Sequence, residues 1–210
     1  MGRYTGPTDR FSRREGMNLF LKGERSYNGK SAFERRPNQS PGEHGGRSPK
    51  RSEFGIRLRE KQKVKIIYGL REKQFRRYFE RASRIEGITG EVLISLLERR
   101  LDNVVYRLGF GSSRNEARQM VSHKHMLVNG ERLNIPSYQV DIGDIIQVRE
   151  KSRNMERINQ SLDLFSRRGL PDWLELDREN YKGTVKRLPV RQDVTIPIEE
   201  QLIVEFYSRV

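Results

Sequence analysis

Apolar residues recur every three or four positions through Leu93, Leu97, Leu101, Val104 and Leu108, and Gly109 and Gly111 then stop the run. That spacing predicts helix across residues 88–108 with one face in a core. A shorter helical pattern follows at 113–122. Ala117, Met120 and Val121 form its apolar side, and Ser113 with Glu116 carries the signature of a capping box. The period then drops from 3.6 to 2. Segments 126–128 and 131–133 flank Asn129-Gly130, a pair suited to a type I′ hairpin because both turn residues need positive φ. Tyr138, Val140 and Ile142 alternate, Gly143-Asp144 turns, and residues 145–148 predict another strand. Two small helices followed by a small sheet predict a compact α+β unit over about 99–152.

The flanks are less regular. Residues 55–87 predict helix interrupted at Gly69, with Ile66, Ile67 and Leu70 before the break and Phe75, Tyr78 and Phe79 at helical spacing after it. That aromatic stripe reads as core rather than as a platform for stacking bases. Residues 153–168 predict a helix through Ile158, Leu162 and Phe165, and 170–176 a turn into a short strand. Pro189 and Pro197 keep the following segment extended. Leu202, Val204 and Phe206 alternate, which predicts a last strand at 201–207. Before residue 53 the chain is rich in Gly and Pro, with only a short helix predicted near 10–21. Phe11, Leu19, Tyr27 and Phe33 nevertheless give it more apolar anchors than a solvated tail needs. The expected organisation is a basic arm at 1–52, a helical region at 53–98, the α+β module at 99–157, and a C-terminal segment at 158–210 that packs on the rest.

Charge changes this picture. Residues 1–84 hold 23 Lys and Arg against 9 Asp and Glu, which is the whole surplus of +14; the remaining stretch is balanced. A one-sided field of this kind attracts a polyanion, and nucleic acid fits because each cation set on a phosphate releases a condensed counterion. A membrane is not expected. Mean hydropathy is −0.85, no run of 18 apolar residues exists, and the basic opening residues lack an apolar leader stretch. Only 34% of residues are hydrophobic and 33% are charged, so part of the chain should order against a partner. There is no cysteine, which excludes disulfides and thiolate metal sites. The three His are scattered, with no nucleophile or carboxylate arranged around them as catalysis would require. No cofactor and no metal are expected.

Residues 99–110, 113–121 and 127–130 closely resemble an RNA-binding module that ribosomal proteins share with some RNA-modifying enzymes and a tRNA synthetase. The flanks narrow this. Residues 2–7, 12–16, 41–45, 58–64 and 67–69, then Trp173-Leu174 and 202–208, resemble the family of small ribosomal subunit protein four, bacterial or organellar type, over essentially the whole chain. The resemblance implies a structural, non-enzymatic protein of a cytoplasmic or organellar ribosome. Such a protein binds small-subunit ribosomal RNA directly, nucleates assembly and influences translational accuracy. It also implies contact with ribosomal protein five and other small-subunit proteins, and with messenger RNA where it enters the subunit. The alternative reading is an RNA-modifying enzyme or a messenger RNA-binding regulator that uses the same module. Fewer than 60 residues remain after the module, with no catalytic fingerprint.

The resemblance puts the RNA surface on the basic N-terminal half and on the short helix at Ser113. The candidates in the arm are Arg3, Arg13, Arg14, His44, Arg47, Lys50 and Arg51. In the helical region they are Arg59, Lys61, Lys63, Lys65, Arg76 and Arg77, where alternation of the first four suits a helix embedded in RNA. In the module they are Arg100, Ser113, Arg114, Arg118, Gln119, His123 and Lys124. One departure bears on the arm. Zinc-carrying members have four Cys there, and this chain has Asp9, Ser12, Ser26 and Ser31 at the matching positions. The arm is therefore expected to be held by packing and RNA alone.

Overall fold

The computed structural model describes residues 4–36, 39–46, 50–165 and 168–208. The candidates Arg3 and Arg47 lie outside them. The chain forms two compact units, one of Met1–Leu93 with Ile196–Val210 and one of Ile94–Thr195. It is mixed α+β, and no described helix is long and apolar enough to cross a membrane.

The first unit is helical. Its arm holds α1 (Asp9–Glu15), a 3₁₀ turn (Gly23–Ser26) and α2 (Ala32–Arg35). Helix α1 stops short of the expected residue 21 because Gly16 takes a left-handed φ of 72° and its N–H closes on the Ser12 carbonyl. The arm also has an internal hydrogen-bond frame that packing and RNA alone did not anticipate. Ser12 Oγ accepts from the Leu19 N–H at 3.3 Å, Ser26 Oγ from Lys22 at 3.1 Å and Ser31 Oγ from Phe33 at 3.1 Å. Asp9 Oδ2 accepts from Ala32 at 3.3 Å. All three serines are buried. The four positions that the resemblance matches to thiolates thus hold oxygen acceptors for backbone N–H groups.

Helix α3 (Glu53–Ile67) starts at Ser52, whose Oγ accepts from the Gly55 N–H at 3.2 Å. It ends as expected at Gly69, with φ 63° and a Leu70 N–H bond back to the Lys65 carbonyl. Helix α4 (Glu72–Ala82) buries Phe75 and Ala82. The final segment is a helix, α10 (Glu200–Ser208), not the strand its alternation predicts. It packs on α3 and buries Ile203 and Phe206 as an i, i+3 pair. A short apolar run satisfies both periods, and among its described residues this unit offers no strand to pair with. Phe206 lies 5.6 Å from Phe54, and Tyr207 stacks 4.5 Å from Phe79.

The second unit holds the sheet. The run expected as one helix over 88–108 divides into α5 (Thr89–Glu98) and α6 (Leu101–Arg107). Arg100 is extended between them and bridges Gln139, while the Leu101 and Asp102 N–H groups bond the Tyr138 and Pro136 carbonyls. Segment 138–142 makes that bridge and no longer strand. Helix α7 (Arg114–Ser122) precedes β1 (Met126–Val128) and β2 (Glu131–Arg132). Asn129 and Gly130 between these strands have φ 51° and 85°, the signs a type I′ turn needs. Then come β3 (Ile145–Val148), α8 (Glu150–Arg153), α9 (Glu156–Leu164), β4 (Leu174–Asp177) and β5 (Lys182–Val185). The antiparallel order is β2-β1-β3-β5-β4. Strand β5 has no apolar alternation to announce it. A Cβ on its Gly183 would lie 2.4 Å from the Leu108 side chain, so α6 packs against bare backbone there. Leu101, Val104, Phe110, Ala117, Val121, Ile146, Val148 and Trp173 share the core.

Candidate nucleic-acid interface

Helix α7 is seated by its small and apolar residues. Ala117 and Val121 are fully buried, and Gly111 lets the preceding loop pass close to the Ala117 backbone. Ser113 caps the helix, accepting from the Glu116 N–H at 3.3 Å. The reciprocal half of the box is shifted by one residue, because Glu116 accepts from the Ser112 N–H at 2.8 Å and from its hydroxyl. The other first-turn N–H groups give the helix start a partial positive charge.

Arg114 and Arg118 lie one turn apart on α7, both half-buried, and both guanidinium groups are anchored from α6. Arg114 Nε donates to Asn103 Oδ1 at 2.9 Å, and its guanidinium lies 4.5 Å over the Tyr106 ring. Arg118 Nη1 donates to Asp102 Oδ2 at 3.2 Å. Asn103 is itself fixed by Glu98, which also takes a two-pronged ion pair from Arg107. Gln119, His123 and Lys124 are exposed at and beyond the later part of α7. The neighbouring His125 differs from them. It is half-buried against Ser152 at 2.9 Å, and burial, then the charges of His123 and Arg149, lower its proton affinity.

Arg100 does not reach the surface. Its side chain is 0% exposed, and it grips Asp102 through Nε at 3.0 Å and Nη2 at 2.6 Å. The break between α5 and α6 turns it inward, where only a bonded carboxylate makes a buried guanidinium tolerable.

In the helical unit the cations divide into two groups that sequence does not separate. Those of α3 are engaged within the protein. Arg57 pairs with Glu205 at 2.6 Å and with Glu53, Arg59 with Glu15, and Lys63 with Glu60 at 2.7 Å. Lys61 and Lys65 share Glu72 at 2.7 and 2.9 Å, and Lys61 also lies 4.4 Å over the Phe206 ring. Burial opposes ionisation of Glu72, but bonds from Lys61, Lys65 and Tyr207 outweigh it and hold the carboxyl down at about 2. Burial, then the Glu72 bond, pushes the Tyr207 phenol well above its ordinary value. The alternation of α3 cations therefore serves contacts on several sides of a helix packed in protein.

The second group sits on α4. Lys73, Arg77 and Arg81 recur every four residues opposite Phe75 and Ala82, and Arg84 continues the row; all are exposed. Among the described residues none of these four pairs with a carboxylate, whereas Arg76 is tied to Glu80 at 3.2 Å. The row was legible as an i, i+4 repeat opposite an aromatic stripe, but only Arg76 and Arg77 stand among the sequence candidates. In the arm, Arg14, His44, Lys50 and Arg51 are exposed, and Arg13 is half-buried. The loop that displays His44 is closed by the Ser40 N–H bond to the Gly45 carbonyl at 3.1 Å. A Cβ at Gly45 would overlap the Ser40 carbonyl oxygen, so the closure needs glycine.

Residues 3–98 match the model of the ribosomal protein S4/S9 N-terminal domain, and residues 99–146 match the S4 domain. Over 209 residues, spanning 100% of both chains, the protein is 61% identical to small ribosomal subunit protein uS4 of Geobacter sulfurreducens and 62% identical to that of Geobacter metallireducens. The uS4 protein of Pelobacter propionicus is 61% identical over the same span.

Proposed function

Since the chain belongs to the uS4 family of small-subunit ribosomal proteins, we propose that it is a structural, non-enzymatic component of the small ribosomal subunit and binds that subunit's RNA. Its relatives are bacterial ribosomal proteins, so the working location is the cytoplasmic ribosome. The observation that carries the RNA reading in side-chain terms is the pair of arginines on α7, Arg114 and Arg118, held at their inner edges by Asn103 and Asp102. A guanidinium presents its donors in one plane, so a fork held by Asn103 or Asp102 is oriented before it meets phosphate and has already lost part of its rotational freedom. A-form RNA hides its major-groove base edges, so contacts of this kind read backbone and shape.

On the sheet unit the proposed contacts are Ser113, Arg114, Arg118, Gln119, His123 and Lys124 at α7; on the helical unit, taken by itself, they are Lys73, Arg76, Arg77, Arg81 and Arg84 on α4. From the arm they are Arg13, Arg14, His44, Lys50 and Arg51. Arg100 is left out because its side chain is wholly buried, and the α3 cations because α3 packs within its unit on several sides. Roles in nucleating assembly and in decoding accuracy, and contacts with ribosomal protein five and messenger RNA, extend this proposal on family resemblance. The direct test is binding of the full chain to small-subunit ribosomal RNA across a salt series, beside a variant with Arg114→Ala and Arg118→Ala. The expected result is steep salt dependence and weaker binding by the variant. Equal binding by both proteins would remove α7 from the interface.

A further inference from the structure

Asn129 and Gly130 form the tip of the β1–β2 hairpin, and both are exposed. An asparagine before glycine is prone to spontaneous deamidation, because glycine puts no side chain in the way of its own backbone nitrogen. The nucleophile is available at this tip. A Cβ on Gly130 would meet nothing within 4 Å, and among the described residues the Gly130 N–H has no hydrogen-bond partner.

The carboxamide it would attack is held instead. Asn129 Nδ2 donates to Asp144 Oδ1 at 2.8 Å, and Asn129 Oδ1 accepts from the Ile145 N–H at 2.9 Å. The Asn129 N–H also bonds the Ile145 carbonyl at 2.9 Å, so the entry to β3 grips this one residue at three points. Asp144 is itself fixed. It is half-buried, and its second oxygen accepts from the Asp141 N–H at 2.8 Å.

We propose that Asn129-Gly130 is a deamidation site held shut by the Asp144 carboxylate. In the reaction the Gly130 nitrogen adds to Asn129 Cγ and closes a succinimide, while the Cγ–Nδ2 bond breaks and Nδ2 leaves as ammonia with the Gly130 proton. Water then opens the ring at either carbonyl and leaves aspartate or isoaspartate. Asp144 opposes the addition in two ways. Its bond to Nδ2 restrains the side chain from swinging back onto the Gly130 peptide, and its charge repels the negative charge that builds on Asn129 Oδ1. The Ile145 N–H by itself would favour that charge, so the guard is the carboxylate. Conversion weakens the hairpin, because a new carboxylate replaces the donor that faces Asp144, and isoaspartate adds a backbone methylene to a two-residue turn.

The test incubates the full chain at mildly alkaline pH beside Asp144→Ala, Asp144→Asn and the parent unfolded in guanidinium chloride. Peptide mass spectrometry, with fragmentation that separates aspartate from isoaspartate, follows Asn129 and also Asn28 of the other Asn-Gly pair, Asn28-Gly29. Asn28, whose Nδ2 donates to Glu24 Oε1 at 2.9 Å, is the reference within the same chain. Asn129 should convert about ten-fold or more slowly in the folded parent than in the unfolded one, and Asp144→Ala should recover about ten-fold in rate, the size of one hydrogen bond to a charged group. Asp144→Asn keeps one acceptor without the charge and should fall between. Asn28 should convert equally in all the folded proteins. Circular dichroism checks that each variant folds, and Asp144→Asn carries the comparison if Asp144→Ala does not. Equal rates at Asn129 in the folded parent and the folded variants overturn the guard. So does a parent whose Asn129 converts as fast folded as unfolded.

Discussion

Arg118 and Arg100 meet on one carboxylate oxygen. Asp102 Oδ2 accepts from Arg118 Nη1 at 3.2 Å and from Arg100 Nη2 at 2.6 Å. One partner is wholly buried and the other, on α7, keeps 12% of its side chain exposed. A single acidic residue thus neutralises an internal arginine and orients one at the protein's edge.

RNA affinity and stability should therefore separate on mutation. The Arg114→Ala, Arg118→Ala variant should lose about 1–3 kcal/mol of RNA affinity after salt screening, and about 1 kcal/mol of stability from the severed Asn103 and Asp102 bonds. Asp102→Ala strands the buried Arg100 charge and should cost about 3–5 kcal/mol of stability. Thermal unfolding measured alongside RNA binding decides. An Asp102→Ala protein as stable as the parent would contradict the buried pairing.

Folding and RNA binding should be separable by fragment. A chain of residues 94–195 keeps the sheet and its core and should fold. It lacks the cationic surplus, which lies before residue 85, and should lose most RNA affinity. A fragment of 85–210 should behave worse, because α10 would expose Ile203 and Phe206 without α3. Dispersed amide resonances for the first fragment, with weak binding, are the expected pair of results.

Acid should loosen the helical unit through Glu72. Its carboxyl is depressed from 4.5 to about 2, so its contribution is complete above about pH 4.5 and disappears as pH falls through about 2. The stability difference between the parent and Glu72→Gln should be largest above that window and vanish below it. A difference that is constant from pH 6 to pH 2 would show that the Lys61, Lys65 and Tyr207 bonds do not hold this carboxylate charged.

The arm should ignore chelators and depend on its serines. Replacing Ser12, Ser26 and Ser31 together by Ala removes three acceptors from buried sites, each worth about 0.5–1.5 kcal/mol. Limited proteolysis should then cut the first 36 residues faster, with the 94–195 unit unaffected. A chelator that produces the same acceleration in the parent would mean that a metal holds the arm.

The amino-acid sequence by itself determined the elements whose signals are local. Ser113 capping α7, Ala117 and Val121 facing inward, Asn129-Gly130 turning the hairpin and Gly69 ending α3 all depend on neighbours within a few residues, where backbone sterics and short hydrogen bonds decide. Family resemblance spanned the whole chain for the same reason, since its motifs are runs of adjacent residues. Tertiary structure decided whatever depended on a distant partner. Residues 201–207 satisfy two periods, and packing on α3 selected the helix. The fifth strand needed β3 and β4 on either side of it, and Gly183 was chosen by the approach of Leu108. Above all, a Lys or Arg in a sequence reads the same whether it meets phosphate or carboxylate. Glu15, Glu72, Glu205 and Asp102 are separated in sequence from most of the cations they neutralise, so only folding could divide the positive charge into a set engaged on carboxylates and an exposed set on α4 and in the arm.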